Sequence, residues 1–186
     1  MNRTLILLLA LGLGLYVYFR GGRAFALPLL TSGAAPMPGA NNISENGIAF
    51  IENQEAFRAK SYIDTDGAPH IGFGHKIAAG DGLTAASVIT LPQAEALLRH
   101  DLAAVYVPAV RSAVRVPVSQ GQFDALTSLC YNIGPGNFAG STVVKALNAG
   151  DTLGALQAFG NWTKAGGNPT AIASRRQAEQ QLFSTA

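Results

Sequence analysis

At 186 residues, with a moderate 13 % charged content and 21 glycines, the chain is long enough for one helical globular domain with a full core. A single cysteine, Cys130, excludes an intrachain disulfide, and it sits in the apolar run Ala125 to Tyr131 as a small buried hydrophobe. The net charge of +2 hides an asymmetry: Arg3, Arg20 and Arg23 flank the N-terminal apolar run, so ten basic face eleven acidic side chains from Ile43 onward, which excludes the basic field that nucleic acid binding requires.

Thr4 to Phe19 is a run of sixteen residues without a charge, bracketed by Arg3 and Arg20. As a helix it would extend about 24 Å, short of the ~30 Å hydrocarbon core unless interfacial residues help. Residues 1–26 are therefore expected to be a signal-anchor or transmembrane segment. Three readings stand: a cleaved signal peptide with Ala24-Phe25-Ala26 as its cleavage site, a membrane anchor, or a signal-anchor that later leaves the bilayer. Gly12, Gly14 and Ala10 ease release, whereas Leu5 to Leu9 oppose it. Residues 27–42, rich in Pro, Gly, Ala and Ser, are expected to form a flexible tether.

Residues 43–186 are expected to form the remaining domain. Asn42-Ile43-Ser44-Glu45 reads as a capping box for a helix with Ile48, Ile51 and Phe57 on one stripe and Glu55 near its last turn. Ala59 to Asp64 then reads as a strand, Thr65-Asp66-Gly67 as a turn and His70 to Gly74 as the returning strand. Past the hairpin the chain reads as helical. One helix starts at Thr90-Leu91-Pro92-Gln93 and is ended or kinked by Pro108. A second starts at Ser119 and is closed by Gly134. Shorter helices follow near 141–147, 151–159 and 171–183. The fold class is α+β, mainly α: a small hairpin lobe against a helical lobe, with a cleft between.

Glu55 and Asp64 lie on different elements, with His70 placed to point at the same spot. Two carboxylates in different environments divide acid and base roles, which is the chemistry of glycosidic bond cleavage. Gly72 and Gly74 remove side chains where a sugar chain or another backbone approaches. His75 is expected to bond within the hairpin and His100 to lie on the surface; no His or Cys pair at ligand spacing indicates a metal. Tyr131 and Trp162 are read as core aromatics that could alternatively stack on sugar rings.

Glu55-Ala56-Phe57, Tyr62-Ile63-Asp64, Gly67 and His70-Ile71-Gly72-Phe73-Gly74-His75 together resemble the phage-type lysozymes. Phe123-Asp124-Ala125-Leu126, Tyr131-Asn132-Ile133-Gly134 and Ser174-Arg175-Arg176 with Glu179 are similar to later segments of that family in the same order. The resemblance implies a lysozyme-like fold and hydrolysis of the β-1,4 bond between N-acetylmuramic acid and N-acetylglucosamine in bacterial peptidoglycan. It implies Glu55 as a general acid kept protonated by partial burial and Asp64 as an ionised carboxylate. Tyr62, Gly72, Phe73 and Asn132 are implied to bind substrate, with no metal and no cofactor. Arg175-Arg176 is read as a local patch for the anionic wall.

His70 departs from the family's Thr. Three roles are open: activating water, attacking the anomeric carbon itself, or only pairing with Asp64. The implied setting is lysis of the host cell by a monomer delivered to the inner membrane and periplasm through the N-terminal segment. The alternatives are a virion-associated, membrane-anchored lysozyme used to penetrate the wall at infection, or a peptidoglycan-binding module with lost catalysis.

Overall fold

A computed structural model describes residues 17–20, 23–26, 39–64, 66–163 and 172–185. The chain divides into two compact units, Met1–Met37 and Pro38–Ala186. In the first, β1 (Val17–Arg20) pairs antiparallel with β2 (Arg23–Ala26), in the register Val17↔Ala26 and Arg20↔Arg23. This corrects the expected helix through Phe19. Val17, Tyr18 and Phe19 are β-branched or aromatic and are followed by Gly21-Gly22, the chemistry of a hairpin. The rest of the charge-free run, residues 4–16, lies outside the described residues. Among the described residues, no helix is long and apolar enough to cross a membrane.

The second unit begins with chain that is already docked. Ala40 donates to the Val118 carbonyl at 2.8 Å, and the carbonyls of Asn41 and Asn42 accept from Arg111 and Gln120. The tether expected through residue 42 is thus fastened to the domain from residue 40 onward.

Helix α1 (Glu45–Glu55) is capped by Ser44, two residues after the cap position of the expected box, and the Ser44 hydroxyl accepts from the Gly47 N–H at 3.1 Å. The same Ser44 donates from its N–H and hydroxyl to the buried carboxylate of Asp124, at 2.9 and 2.5 Å. This ties the start of α1 to α4 (Gln120–Ile133). A side chain at Gly47 would meet Asp124 at 2.6 Å, so the small residue permits the close approach. Phe57, expected on the helical stripe, lies past the end of α1 and is exposed, because the chain turns at Ala56.

The hairpin has three strands where two were expected: β3 (Arg58–Ile63), β4 (Pro69–Gly72) and β5 (His75–Lys76), in the order β3-β4-β5. Arg58 pairs with Gly72 and Tyr62 with His70, with an irregularity between them. The outer edge of β3 is covered by residues 87–89 through Ile89 N–H to Ala59 O and Ser61 N–H to Ser87 O.

Helix α2 (Leu91–Asp101) runs through a wider π turn, Leu102–Tyr106, into α3 (Val107–Ala113). Pro108 neither ends the helix nor stands in its interior as an ordinary breaker; the preceding turn widens, with Val107 N–H reaching back to Leu102 O. The inserted residue rotates the buried face. Leu98 and Leu102 join one core cluster with Ile48, Ile51, Ile71, Phe73, Ile89 and Ala94. Val107 and Val110 join the other, formed around α4 with Phe123, Leu126, Leu129 and Cys130. Helices α5 (Pro135–Gly140), α6 (Thr142–Asn148), α7 (Thr152–Ala158) and α8 (Ala173–Phe183) complete that second cluster. The result is mainly helical with one small antiparallel sheet, as expected, and α5 and β5 are the additions.

Candidate active site

Glu55 is the last residue of α1. The helix buries Ile48 and Ile51 in the hairpin-lobe core and is tied to α4 in the helical lobe, so Glu55 emerges where the two cores meet. Its side chain is 21 % exposed, and its Oε1 accepts from Arg175 Nη1 at 2.5 Å. The residue after it, Ala56, has φ 57° and ψ 136°, a backbone conformation that costs any residue with a Cβ. That turn separates the carboxyl of Glu55 from the direction of β3.

Behind Glu55 lies a buried ion network that the sequence reading placed on the surface. Arg175 and Arg176 are 5 % and 1 % exposed, so neither forms the wall-facing patch expected of them. Arg175 bonds through Nε to Glu179 Oε1 at 3.2 Å, and Arg176 through Nη1 to Glu179 Oε2 at 2.6 Å. Ser128 adds its hydroxyl to Glu179 at 2.7 Å, and Asn132 Oδ1 accepts from Arg176. Burial pushes the Glu179 carboxyl up while both arginines pull it down, and burial lowers Arg176 to about 10. Each arginine thus has a carboxyl partner, Arg175 in Glu55 and Glu179 and Arg176 in Glu179, which is what allows such groups to be buried together.

Asp64 lies exposed at the end of the strand, where its N–H bonds to Ala68 O and its carbonyl accepts from Gly67 N–H. Tyr62 stands opposite His70 in the ladder, with ring centroids 6.0 Å apart, and carries the guanidinium of Arg58 at 4.3 Å from its ring centre. Burial pushes the Tyr62 phenol up, and the negative charges of Asp64 and Glu55 add to this. The ring therefore lies within electrostatic reach of both candidate catalytic carboxylates.

His70 is half-buried and engaged at both nitrogens: Nδ1 lies 3.0 Å from Gly74 O, and Nε2 lies 3.2 Å from Asp66 Oδ1. A carbonyl and an ionised carboxylate can only accept, so both ring nitrogens donate, and neither presents a lone pair while these bonds hold. Asp66 is held well below the usual carboxylate range, first by Lys76 at 2.8 Å and then by the Ala68 N–H. The partner of His70 that these bonds identify is thus Asp66, on the turn, rather than the expected Asp64.

Three expected substrate contacts are placed elsewhere. Phe73 is 5 % exposed, packs in the hairpin-lobe core beside Phe57, and offers its carbonyl to Tyr131 Oη at 2.8 Å. Gly72, with φ +70°, is buried, and a side chain there would meet Ala94 Cβ at 3.1 Å; its smallness admits helix α2, not a sugar. Asn132 serves the buried network. Core packing holds Phe73 and Gly72, and Asn132, partly buried, is engaged by Arg176, while Tyr62 keeps a half-buried ring beside the site. Tyr131 is likewise a core residue bridging to the hairpin, and Trp162 packs half-buried on the helical core.

His75 reaches beyond its hairpin. Its Nδ1 meets Asp101 Oδ2 at 2.8 Å at the end of α2, and its Nε2 meets Asp81 Oδ2 at 3.2 Å. The Asp101 bond is the main reason that its pKa is raised. His100 is exposed, as expected. Among the described residues, no group of three His, Cys, Asp or Glu side chains could hold a metal ion.

The sequence profile of the family described as Phage lysozyme matches residues 52–179, more than half of the chain. The chain belongs to the phage lysozyme family. This family member is 43 % identical to the Endolysin of Salmonella phage P22 over 143 residues, covering 76 % of this chain and 97 % of that one. A crystal structure of a P22 lysozyme mutant superposes with a TM-score of 0.68 at 42 % identity, over 77 % of this chain and 99 % of that chain. The muramidase domain of SpmX from Asticaccaulis excentricus superposes with a TM-score of 0.69 at 36 % identity, covering 78 % and 99 %. The SAR-endolysin of Bacteriophage PS119 is 32 % identical over 129 residues, covering 69 % of this chain and 75 % of that one. In this phage lysozyme the segments that carried the resemblance are the ones that build the site: the end of α1, the hairpin, and the buried arginines of α8.

Proposed function

We propose that the chain is a lytic muramidase that cleaves between N-acetylmuramic acid and N-acetylglucosamine, with Glu55 as the acid and Asp64 as the assisting carboxylate. As a member of the phage lysozyme family it is a lysozyme-type glycoside hydrolase of peptidoglycan. The observation that carries the residue assignment is the clamp on Glu55: a carboxyl that ends a helix at the junction of two cores and is fixed by a buried arginine. Protonating the leaving oxygen requires a carboxyl held in one geometry against the bond. Asp64, exposed on the hairpin, stabilises the oxocarbenium-like transition state or orients the attacking water.

His70 acts in this reading as a brace for the hairpin. For a covalent route Nε2 would have to leave Asp66, give up the proton it donates there and turn the freed lone pair to the anomeric carbon; the bonds to Gly74 and Asp66 hold it against this. Water therefore attacks, and the product is inverted. The test is release of reducing ends from purified peptidoglycan, with the first-formed anomer read by NMR. A Glu55→Gln variant should lose activity by orders of magnitude; a product of retained configuration would instead assign His70 as nucleophile.

Delivery to the wall uses the N-terminal segment, a reading supported by the charge-free run that begins at Thr4 and by likeness to SAR-endolysins. One chain carries Glu55, Asp64 and Arg175, so a monomer suffices.

A further inference from the structure

We infer that Arg58 binds a carboxylate of the peptide stem that peptidoglycan carries on its glycan strand; this rests on the muramidase reading above. Arg58 opens β3, three residues after Glu55, and is exposed. Its guanidinium carbon lies 4.3 Å from the centre of the Tyr62 ring, a cation–π contact that restricts where the charge can sit. The Tyr62 ring in turn lies 6.0 Å from the His70 ring and two residues before Asp64 in the chain. Arg58 is therefore a pre-positioned cation at the edge of the candidate catalytic groups.

Lys60, two residues along β3, is the other exposed cation of this strand and lacks the ring contact that holds Arg58; three further cations near the site are occupied. Arg175 and Arg176 are taken by Glu55 and Glu179, and Lys76 by Asp66. No ion pair engages Arg58 among the described residues. A planar fork with five donors matches a carboxylate, which accepts two parallel N–H bonds. Where the glycan bears a stem peptide, the lactyl carboxyl of N-acetylmuramic acid is consumed in the amide that joins them, so the free anions there are carboxylates of the stem peptide. Arg58 is thus a specificity residue that selects peptide-bearing glycan, distinct from the groups that break the bond.

The experiment measures kcat/KM of the full chain on native wall and on wall whose carboxyl groups have been amidated, for the parent, Arg58→Gln and Arg58→Lys. One charge-assisted pair corresponds to roughly tenfold to hundredfold in kcat/KM. The parent should lose that factor on amidated wall. Arg58→Gln should lose it on native wall and be indifferent to amidation, and Arg58→Lys, which keeps the charge without the fork, should retain part of the discrimination. Melting curves by circular dichroism establish that each variant is folded. If the parent ignores amidation, or if Arg58→Gln still loses as much on amidated wall as the parent does, the inference is overturned. A folded parent that releases no reducing ends from native wall would overturn the muramidase reading instead.

Discussion

Arg175 Nη1 donates to Glu55 Oε1 at 2.5 Å, joining the last turn of α1 to the first turn of α8 across 120 positions of sequence. The same side chain reaches Glu179 and the carbonyl and hydroxyl of Ser128. The bond that aims the candidate acid is therefore also part of the buried hydrogen-bond network of the helical lobe.

Arg175→Lys separates these roles, because a lysine keeps the charge but cannot fork to Glu55, Glu179 and Ser128 at once. It should cost about 1.5–3 kcal/mol of stability, the range for a hydrogen bond to a charged group. It should also lower kcat by roughly a hundredfold through misplacement of Glu55, with KM little changed. Steady-state kinetics beside a denaturant titration would show this; full kcat in a folded variant would mean that Glu55 is aimed by something else. Glu179→Gln should be worse for folding, about 3–5 kcal/mol, because it strands two buried arginines.

His75 is expected to make stability depend on pH in one direction. Its folded pKa is raised above the ordinary 6.5, chiefly by its bond to Asp101, so its contribution is fully present below pH 6.5 and is lost as pH rises through the raised folded value. The stability difference between the parent and His75→Asn should be about 1.5–3 kcal/mol at pH 5.5 and shrink steadily as pH is raised above 6.5. Urea titrations at a series of pH values measure it. A difference that grew with pH would contradict the Asp101 clamp.

Ala56 is the one non-glycine residue with positive φ among the described residues, directly after Glu55. Replacing it with glycine removes strain of about 1–3 kcal/mol and returns about 0.4–1 kcal/mol through the greater freedom of the unfolded chain. Ala56→Gly should therefore raise stability by roughly 1 kcal/mol, or about 2–4 °C in Tm for a domain of this size. Loss of stability would mean that the Ala56 methyl makes a contact worth more than the strain.

Local chemistry made the helices legible. Ser119 and Gln122 form the reciprocal cap that opens α4, and Gly134 closes it, because each signal acts within a few residues. Elements lacking such signals were not legible: β5 is two residues long, and Pro135–Gly140 reads as a turn until Phe138 is buried. The site was legible in residue types but not in partners. The i,i+3 and i,i+4 spacing of Arg175, Arg176 and Glu179 announces ion pairs on a helix. Whether that face is solvated or buried depends on Ser128, Asn132 and Glu55, which are distant in sequence. The burial of Phe73 and Gly72 was not legible for the same reason: alternation along a strand says which residues share a face, and only packing by α2 decides that the face is core.

The N-terminal segment yields the most direct cellular prediction. With Val17–Arg20 in a strand, the apolar stretch ahead of it runs from Thr4 to Tyr16, and as a helix it would extend only about 20 Å against a ~30 Å hydrocarbon core. The proposed delivery is therefore predicted to end in release rather than in permanent anchoring. Deleting residues 1–37 leaves the unit that holds both cores and every candidate catalytic group. That unit should cleave purified peptidoglycan at the parent rate but fail to lyse cells when made in the cytoplasm, whereas the full chain should lyse them without a separate membrane-permeabilising protein. Turbidity of expressing cultures, read beside the wall assay, checks both halves. Equal lysis by the two chains would remove any export role from the segment, and a full chain found only in membrane pellets throughout lysis would replace release with permanent anchoring.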